Sequence, residues 1–217
     1  MFISVFTHSE SDKRLFYNYL FEERYLQRWG YVKNTILEMY PELSLQLKDT
    51  KTREESKAVI EKYLTNKYHQ YQQPLSKLIE DIQIPFTNKK QDIENAFFAT
   101  MSADMTNFSL EIILSLFPKS LFGEKNVMLS VASDIFHGKK RPYVGIVLHE
   151  MVHIVRNNKI REVYGDNSLP LSSIASDDLR EIVAPIILRD EHFSTILDSK
   201  FFREPNQKQK MLTLHVR

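Results

Sequence analysis

The stretch FSLEIILSLF, residues 108–117, is where the chain changes character. In it Phe108, Leu110, Ile112, Leu114 and Leu116 alternate with Ser109, Glu111, Ile113, Ser115 and Phe117, the period of two expected of a strand with one buried face. A second short run of this kind, Val127–Val131, follows, so a small sheet is predicted here. Upstream the spacing is three and four instead. Ser11 to Met39 carries Leu15, Phe16, Tyr19, Leu20, Tyr25, Leu26, Ile36 and Leu37 at helical intervals, and Pro41 acts as a stop. Thr52 and Glu55 form a capping-box pattern ahead of Val59, Ile60, Tyr63 and Leu64. Pro74 interrupts that pattern, and a short amphipathic piece with Leu75, Leu78, Ile79 and Ile82 follows. Asp92 is placed to cap a further helix bearing Ile93, Phe97 and Met101 on one face. Downstream, residues 130–142 read as a loop, 143–157 as a helix, 176–188 as another, and 191–217 as a mixed tail. The fold class expected is therefore α+β, mainly helical, with a helical N-terminal region over 1–90 and a second part over 91–217. Five glycines in 217 residues agree with that balance, because glycine is the usual material of tight turns.

Composition narrows the function classes. Hydrophobic residues make up 42% and charged residues 26%, the profile of a globular chain with a real core. The formal net charge is +1, so no global pull toward nucleic acid or an anionic membrane is expected. No run approaches the roughly 18 apolar residues of a membrane span, and the opening MFISVFTHSESDKR has an apolar patch too short for a signal sequence. With no cysteine, disulfides, thiolate nucleophiles and Cys-type zinc sites are excluded, and any metal must be held by His, Asp or Glu. A soluble, cytoplasmic protein is the expectation.

The segment GIVLHEMVHIV, residues 145–155, carries the chemistry. His149 and His153, four apart, lie one above the other on a helix, so both imidazoles can reach one ion. Glu150 sits about 100° round the same helix, where it can touch a metal-bound water without being a ligand. The flanking Ile146, Val147, Leu148, Met151, Val152, Ile154 and Val155 leave almost no polar side, so the helix should be buried. Burying two histidines and a glutamate without partners costs roughly 2 to 7 kcal/mol for each unpaired group, and a metal answers that cost. Gly145, one turn before His149, leaves space at the site.

The segment resembles the active-site helix of the zincin metallopeptidases, in which an HExxH helix supplies two zinc ligands and the general base. The resemblance covers about residues 105–190 and is specific only at the motif. It implies a small twisted sheet, an edge strand lining the cleft, the active-site helix and a later helix with the last ligand. The longer HExxHxxGxxH pattern is not met, because Arg156 and Lys159 occupy the glycine and histidine positions. A gluzincin-like arrangement instead draws a glutamate from a later helix, and ASDDLREIVAPIIL, residues 175–188, offers Glu181, with Ser176 as N-cap and Pro185 a turn beyond. His192, Asp177 and Asp178 stand as alternatives, and the position four after Glu181 is Pro185 where thermolysin-like enzymes have an aspartate, so no acid is assigned to orient a ligand histidine.

The reading is a zinc-dependent peptidase: His149, His153 and Glu181 hold Zn2+, and Glu150 deprotonates the attacking water and later protonates the leaving amine. The substrate is a peptide or protein. Tyr143, Tyr164, His137 and His192 are candidate donors to the oxyanion. The N-terminal helices would serve as a lid, as a prosegment or to complete the core. A second reading is a regulatory enzyme resembling the ImmA/IrrE group, which pairs HExxH with a later E-x-x-A segment, here Glu181 to Ala184, and cuts a dedicated protein partner. A third is a helical binding module with a structural metal site, although such a site has no need of Glu150. Lys139, Lys140 and Arg141 read as a solvated loop, with a preference for acidic substrates as the functional alternative.

Overall fold

The computed structural model describes residues 1–138, 141–165 and 173–197, with the backbone alone for 173–178. It begins with a strand, β1 (Phe2–Thr7), followed by six helices: α1 (Ser9–Phe21), α2 (Glu23–Met39), α3 (Pro41–Lys48), α4 (Arg53–Gln70), α5 (Gln72–Asn88) and α6 (Lys90–Met101). Three strands come next, β2 (Ser109–Ser115), β3 (Leu121–Phe122) and β4 (Asn126–Ser130), and then α7 (Ala132–His137), α8 (Tyr143–Tyr164), α9 (Ser173–Leu188) and α10 (Glu191–Ser194). This is a mainly helical α+β fold. Among the described residues the sheet has the order β1-β2-β4-β3, with the first two pairings parallel and β3 antiparallel to β4.

Several local expectations are met for the reasons given. Thr52 caps α4 by accepting from the Glu55 N–H at 3.1 Å, while the Glu55 carboxylate accepts from the Lys51 N–H at 2.6 Å. Leu110, Ile112 and Leu114 of β2 point into the core, in register with Ile3, Val5 and Thr7 of β1. The second half of β2 is buried at every position, not only at alternate ones, because a central parallel strand is covered on both faces.

Other boundaries differ. Residues 1–90 are not all helical, since Phe2–Thr7 forms β1. The single helix expected over 11–39 is broken at Glu22, whose extended backbone lets α2 fold back on α1 and brings the rings of Tyr25 and Trp29 to 4.8 and 6.0 Å from Tyr19. Pro74 does not break a helix but sits in the first turn of α5, where its missing N–H costs nothing. Asp92 is a first-turn acid of α6, not its cap, and the supposed loop 130–142 contains α7. The helix carrying His149 runs on to Tyr164 and ends at Gly165, whose φ of 66° is a conformation that favours glycine. Helix α9 starts at Ser173, so Ser176 lies within it and does not cap it. The tail beyond 197 lies outside the described residues.

Two apolar cores result. One joins α1 to α4 through Phe16, Leu20, Ile36, Leu43, Ile60 and Leu64, and it also takes in Phe117. The other lies about the sheet and gathers side chains from β1, α5, α6, α8, α9 and α10. Residues from the first ninety enter both. The free edge of β1 is blocked by Gln83 of α5, which accepts from the Val5 N–H and donates to the Ile3 carbonyl, both at 3.1 Å. No helix among the described residues is long and apolar enough to cross a membrane.

Candidate metal centre

Helix α8 is apolar around most of its circumference, and Gly145, Val147, Leu148, Met151, Val152, Ile154 and Val155 are buried as expected. It packs against β3, β4 and α9, which fixes the direction in which its two histidines point. The Nε2 atoms of His149 and His153 face each other at 2.9 Å. Helix α9 crosses beside them and brings in Glu181, whose Oε2 lies 3.5 Å from Nε2 of His149 and whose Oε1 lies 3.7 Å from Nε2 of His153. Four ligand atoms about 2.0 to 2.1 Å from a tetrahedral zinc stand about 3.3 Å from one another. The two Glu181 contacts use different carboxylate oxygens, and one donor atom from each of the three residues lies within 4.8 Å of the others, close enough for a single metal ion to be shared among them. Among the described residues it is the one group of three or more such side chains whose donor atoms converge.

The side chains differ in exposure. His153 is 1% exposed, His149 22% and Glu181 57%. In the structure the neighbours Ala184 and Leu188 are buried and Glu181 itself lies at the rim. Burial, reinforced by the adjacent His149, holds the His153 imidazole well below the ordinary histidine range, which keeps it in the neutral form that binds metals. The hydrogen bond to His149 holds the Glu181 carboxyl below the ordinary glutamate range, so it is an anion at neutral pH. Nδ1 of His153 is buried and has no hydrogen-bond partner among the described residues.

Glu150, half-buried, is raised above the ordinary glutamate range by burial; His149 opposes the shift and Glu181 adds to it. No described residue hydrogen-bonds or ion-pairs with its carboxylate.

Two residues at the site carried no signal in the sequence. Phe122 of β3 lies on the His153 ring, 5.1 Å between centroids with 34° between the planes, so the short edge strand holds the buried ligand by its face. The Arg180 guanidinium lies over the opposite partner in this stack, 5.1 Å from the Phe122 centroid, with Nη2 3.4 Å from Oε1 of Glu181. The remaining candidates are placed elsewhere. His192, on α10, pairs through Nδ1 with Asp190 at 2.6 Å and is not in the converging group. Tyr143 donates its hydroxyl to Asp134, and Tyr164 lies at the far end of α8, about 16 Å of helix beyond His153. His137 closes α7. The side chains of Asp177 and Asp178, and residues Lys139 and Lys140, lie outside the described residues, while Arg141 donates to the Ser130 carbonyl at 3.2 Å.

Comparison with family models, with curated proteins and with solved structures returned no match.

Proposed function

We propose that this chain is a zinc-dependent hydrolase that cleaves a peptide bond, with His149, His153 and Glu181 as the metal ligands and Glu150 as general base and acid. The observation that carries the reading is the convergence of two imidazole nitrogens and a carboxylate, with donor atoms within 4.8 Å of one another, beside a carboxylate that no described residue engages. A divalent ion held there supplies Lewis acidity, which polarises a carbonyl and lowers the pKa of water to about 7. Glu150 then takes a proton from water and returns it to the departing amine. Its burial suits both halves of that task by moving its pKa toward working pH. Phe122 keeps the His153 ring from rotating, and Arg180 helps fix the carboxylate of Glu181. The antiparallel edge strand β3 packed on α8, and α9 bringing the acid, match the arrangement that a zincin resemblance implies. The compartment we propose is the cytoplasm, in keeping with a chain that has no cysteine.

The test is elemental analysis of protein purified without chelator, followed by hydrolysis of a peptide library by wild type and Glu150→Gln. One zinc per chain in both proteins is expected, with hydrolysis reduced by about 10²-fold or more in the variant. Zinc without any hydrolysis in the wild type would leave a structural metal site. Variant activity within about tenfold of wild type would remove Glu150 from its role.

A further inference from the structure

A cavity of about 500 Å³ lies apart from the metal centre, where α5 passes α7 and the start of α8. Its apolar wall is built from Leu78 and Ile82, one turn apart on α5, Ile135 of α7 and Val144 of α8. Val144 precedes His149 by five residues, about 7.5 Å along the helix and about 140° round it, so the cavity opens on the side away from the metal ligands. Its size is that of a small-molecule site, and such sites set a few charged or polar groups against a mostly apolar lining. A larger cavity, of about 650 Å³ between α1 and α4, has no aliphatic residue in its lining, and its charges meet each other, as Lys13 does Glu10 at 2.5 Å and Lys57 does Glu61 at 4.0 Å.

The charged groups of the smaller cavity are of both signs. Lys77 and Asp81, also one turn apart on α5, adjoin the stripe of Leu78 and Ile82. Both are exposed, and neither side chain makes a hydrogen bond or an ion pair with a described residue. On the other wall Arg141 donates from Nη1 to the Ser130 carbonyl at 3.2 Å, which fixes the guanidinium and leaves further N–H groups for a ligand. Asp134 accepts from the Tyr143 hydroxyl, which holds its carboxylate in the lining. Apolar walls set between cations and acids suit a molecule that is itself apolar and carries both charges. Lys139 and Lys140, which separate Gly138 from Arg141 in the chain and lie outside the described residues, are cations and cannot take the place of Asp81 toward an ammonium.

We propose that this cavity binds a zwitterion with an apolar body, which is either a free amino acid or a short peptide. Arg141 and Lys77 meet the carboxylate, Asp81 and Asp134 meet the ammonium, and Leu78, Ile82, Ile135 and Val144 cover the apolar side chain. Capping either end of the ligand leaves one charged group of the cavity without its partner, so the two ends are recognised together. Binding here needs neither the metal nor peptidase activity. It joins α5 to the start of the helix that carries His149 and His153, so it stabilises the native chain as ligand is added.

The experiment measures binding by calorimetry and by melting temperature for the full-length protein in the presence of a chelator. Leucine, N-acetylleucine, leucinamide and glycine form one series of probes; leucyl-leucine and its acetylated and amidated forms make the other. Leucine or leucyl-leucine is expected to bind about fivefold or more tightly than either capped form of its own series, and glycine more weakly than leucine. The series in which the preference is larger names the source of the ligand. Asp81→Asn should narrow the preference over the acetylated form, and Lys77→Gln that over the amidated form. Both positions are exposed and unpaired, so both variants should melt as the wild type does. Binding should persist in His149→Ala with His153→Ala; its loss there would put the ligand in the metal cleft and overturn the proposal. No binding of any uncapped probe at millimolar concentration would also overturn it, as would capped forms that bind as tightly, or preferences that neither variant moves. The chelator keeps these outcomes separate from the peptidase reading, which they leave in place.

Discussion

Asp12 and the His149–His153–Glu181 group both set ionisable side chains against apolar cores, and they are satisfied in different ways. Asp12 of α1 is fully buried. One of its carboxylate oxygens accepts from the Leu116 N–H at 2.7 Å and the Tyr68 hydroxyl at 2.8 Å, and the other accepts from the Ser115 hydroxyl. Ser115 in turn accepts from the Phe117 N–H at 3.0 Å. Every member has its partner within the protein, and the network ties α1 and α4 to the end of β2, between the two cores. At the other cluster two imidazole nitrogens face each other, and among the described residues neither Nδ1 of His153 nor the Glu150 carboxylate has a hydrogen-bond partner. A closed network is architecture; one whose donor atoms converge without being satisfied points to a ligand from outside.

The comparison breaks most sharply at the metal. His149→Ala together with His153→Ala should abolish zinc binding altogether, whereas Asp12→Asn should leave about one zinc per chain, both read by elemental analysis. Zinc content unchanged in the double variant would put the ion elsewhere. Next in size is Glu181→Ala, which leaves two protein ligands and should weaken zinc binding by about a hundredfold or more in competition with a chelator. It should also remove the stabilisation that zinc gives the fold, RT ln(1 + [L]/Kd), while His192→Ala does neither. Affinity lost in the His192 variant and kept in the Glu181 variant would overturn the gluzincin-like assignment.

On the architectural side, Asp12→Ala leaves the Leu116 N–H and the Ser115 hydroxyl buried without an acceptor. At about 1 to 3 kcal/mol for each orphaned group, a loss of about 3 kcal/mol or more in urea unfolding is expected. The amide of Asp12→Asn keeps one oxygen for Leu116 and Tyr68 and can turn its NH2 toward Ser115, so it should lose much less. Equal losses in the two variants would mean that the charge, and not the hydrogen bonding, is what the network needs.

The two clusters were not equally legible in the sequence. HEMVH announces itself because its spacing is local: His149, Glu150 and His153 lie within two turns, and their apolar flanks state that the helix is buried. Glu181 was reachable because the resemblance calls for a glutamate on a later helix and this one has Ala184, Pro185 and Leu188 on its stripe, although Asp177 and Asp178 stood beside it as alternatives. Asp12 gave no such signal. In SESDKR it reads as an ordinary first-turn acid, and its partners Tyr68, Ser115 and Leu116 are 56 to 104 residues away. The break at Glu22 has neither proline nor glycine to mark it, since it is the packing of α2 on α1 that selects it. The strand β1 is six residues long and pairs with a partner more than a hundred residues on, so its periodicity had no neighbour to give it meaning. Phe122 likewise matters only through what the sheet sets beside it.

The smallest expected effect tests Asp12 through its titration. Burial raises its carboxyl to about 6, against the opposing hydrogen bonds from Ser115, Tyr68 and Leu116. Between the unfolded value near 4 and the folded value near 6, the folded chain binds the proton more often than the unfolded one. Stability from this group is therefore fully present at low pH, falls as pH rises through that window, and levels off above it. Taking the protein from pH 7 to pH 5 should return about 1 kcal/mol through Asp12. The zinc-free histidine cluster acts in the opposite direction, because His153 is held neutral in the folded chain and protonates more readily when unfolded. The two terms are separated by a difference: urea unfolding of wild type and Asp12→Asn at pH 7, 6 and 5, in the presence of a chelator. The histidine contribution is common to both chains and cancels. A gap between the two proteins that shifts in favour of the wild type by about 1 kcal/mol on acidification is the result expected of a buried carboxyl without a compensating charge. A gap that stays constant across the three pH values would mean that Asp12 is ionised throughout, and that the network around it is strong enough to hold a charge inside the protein.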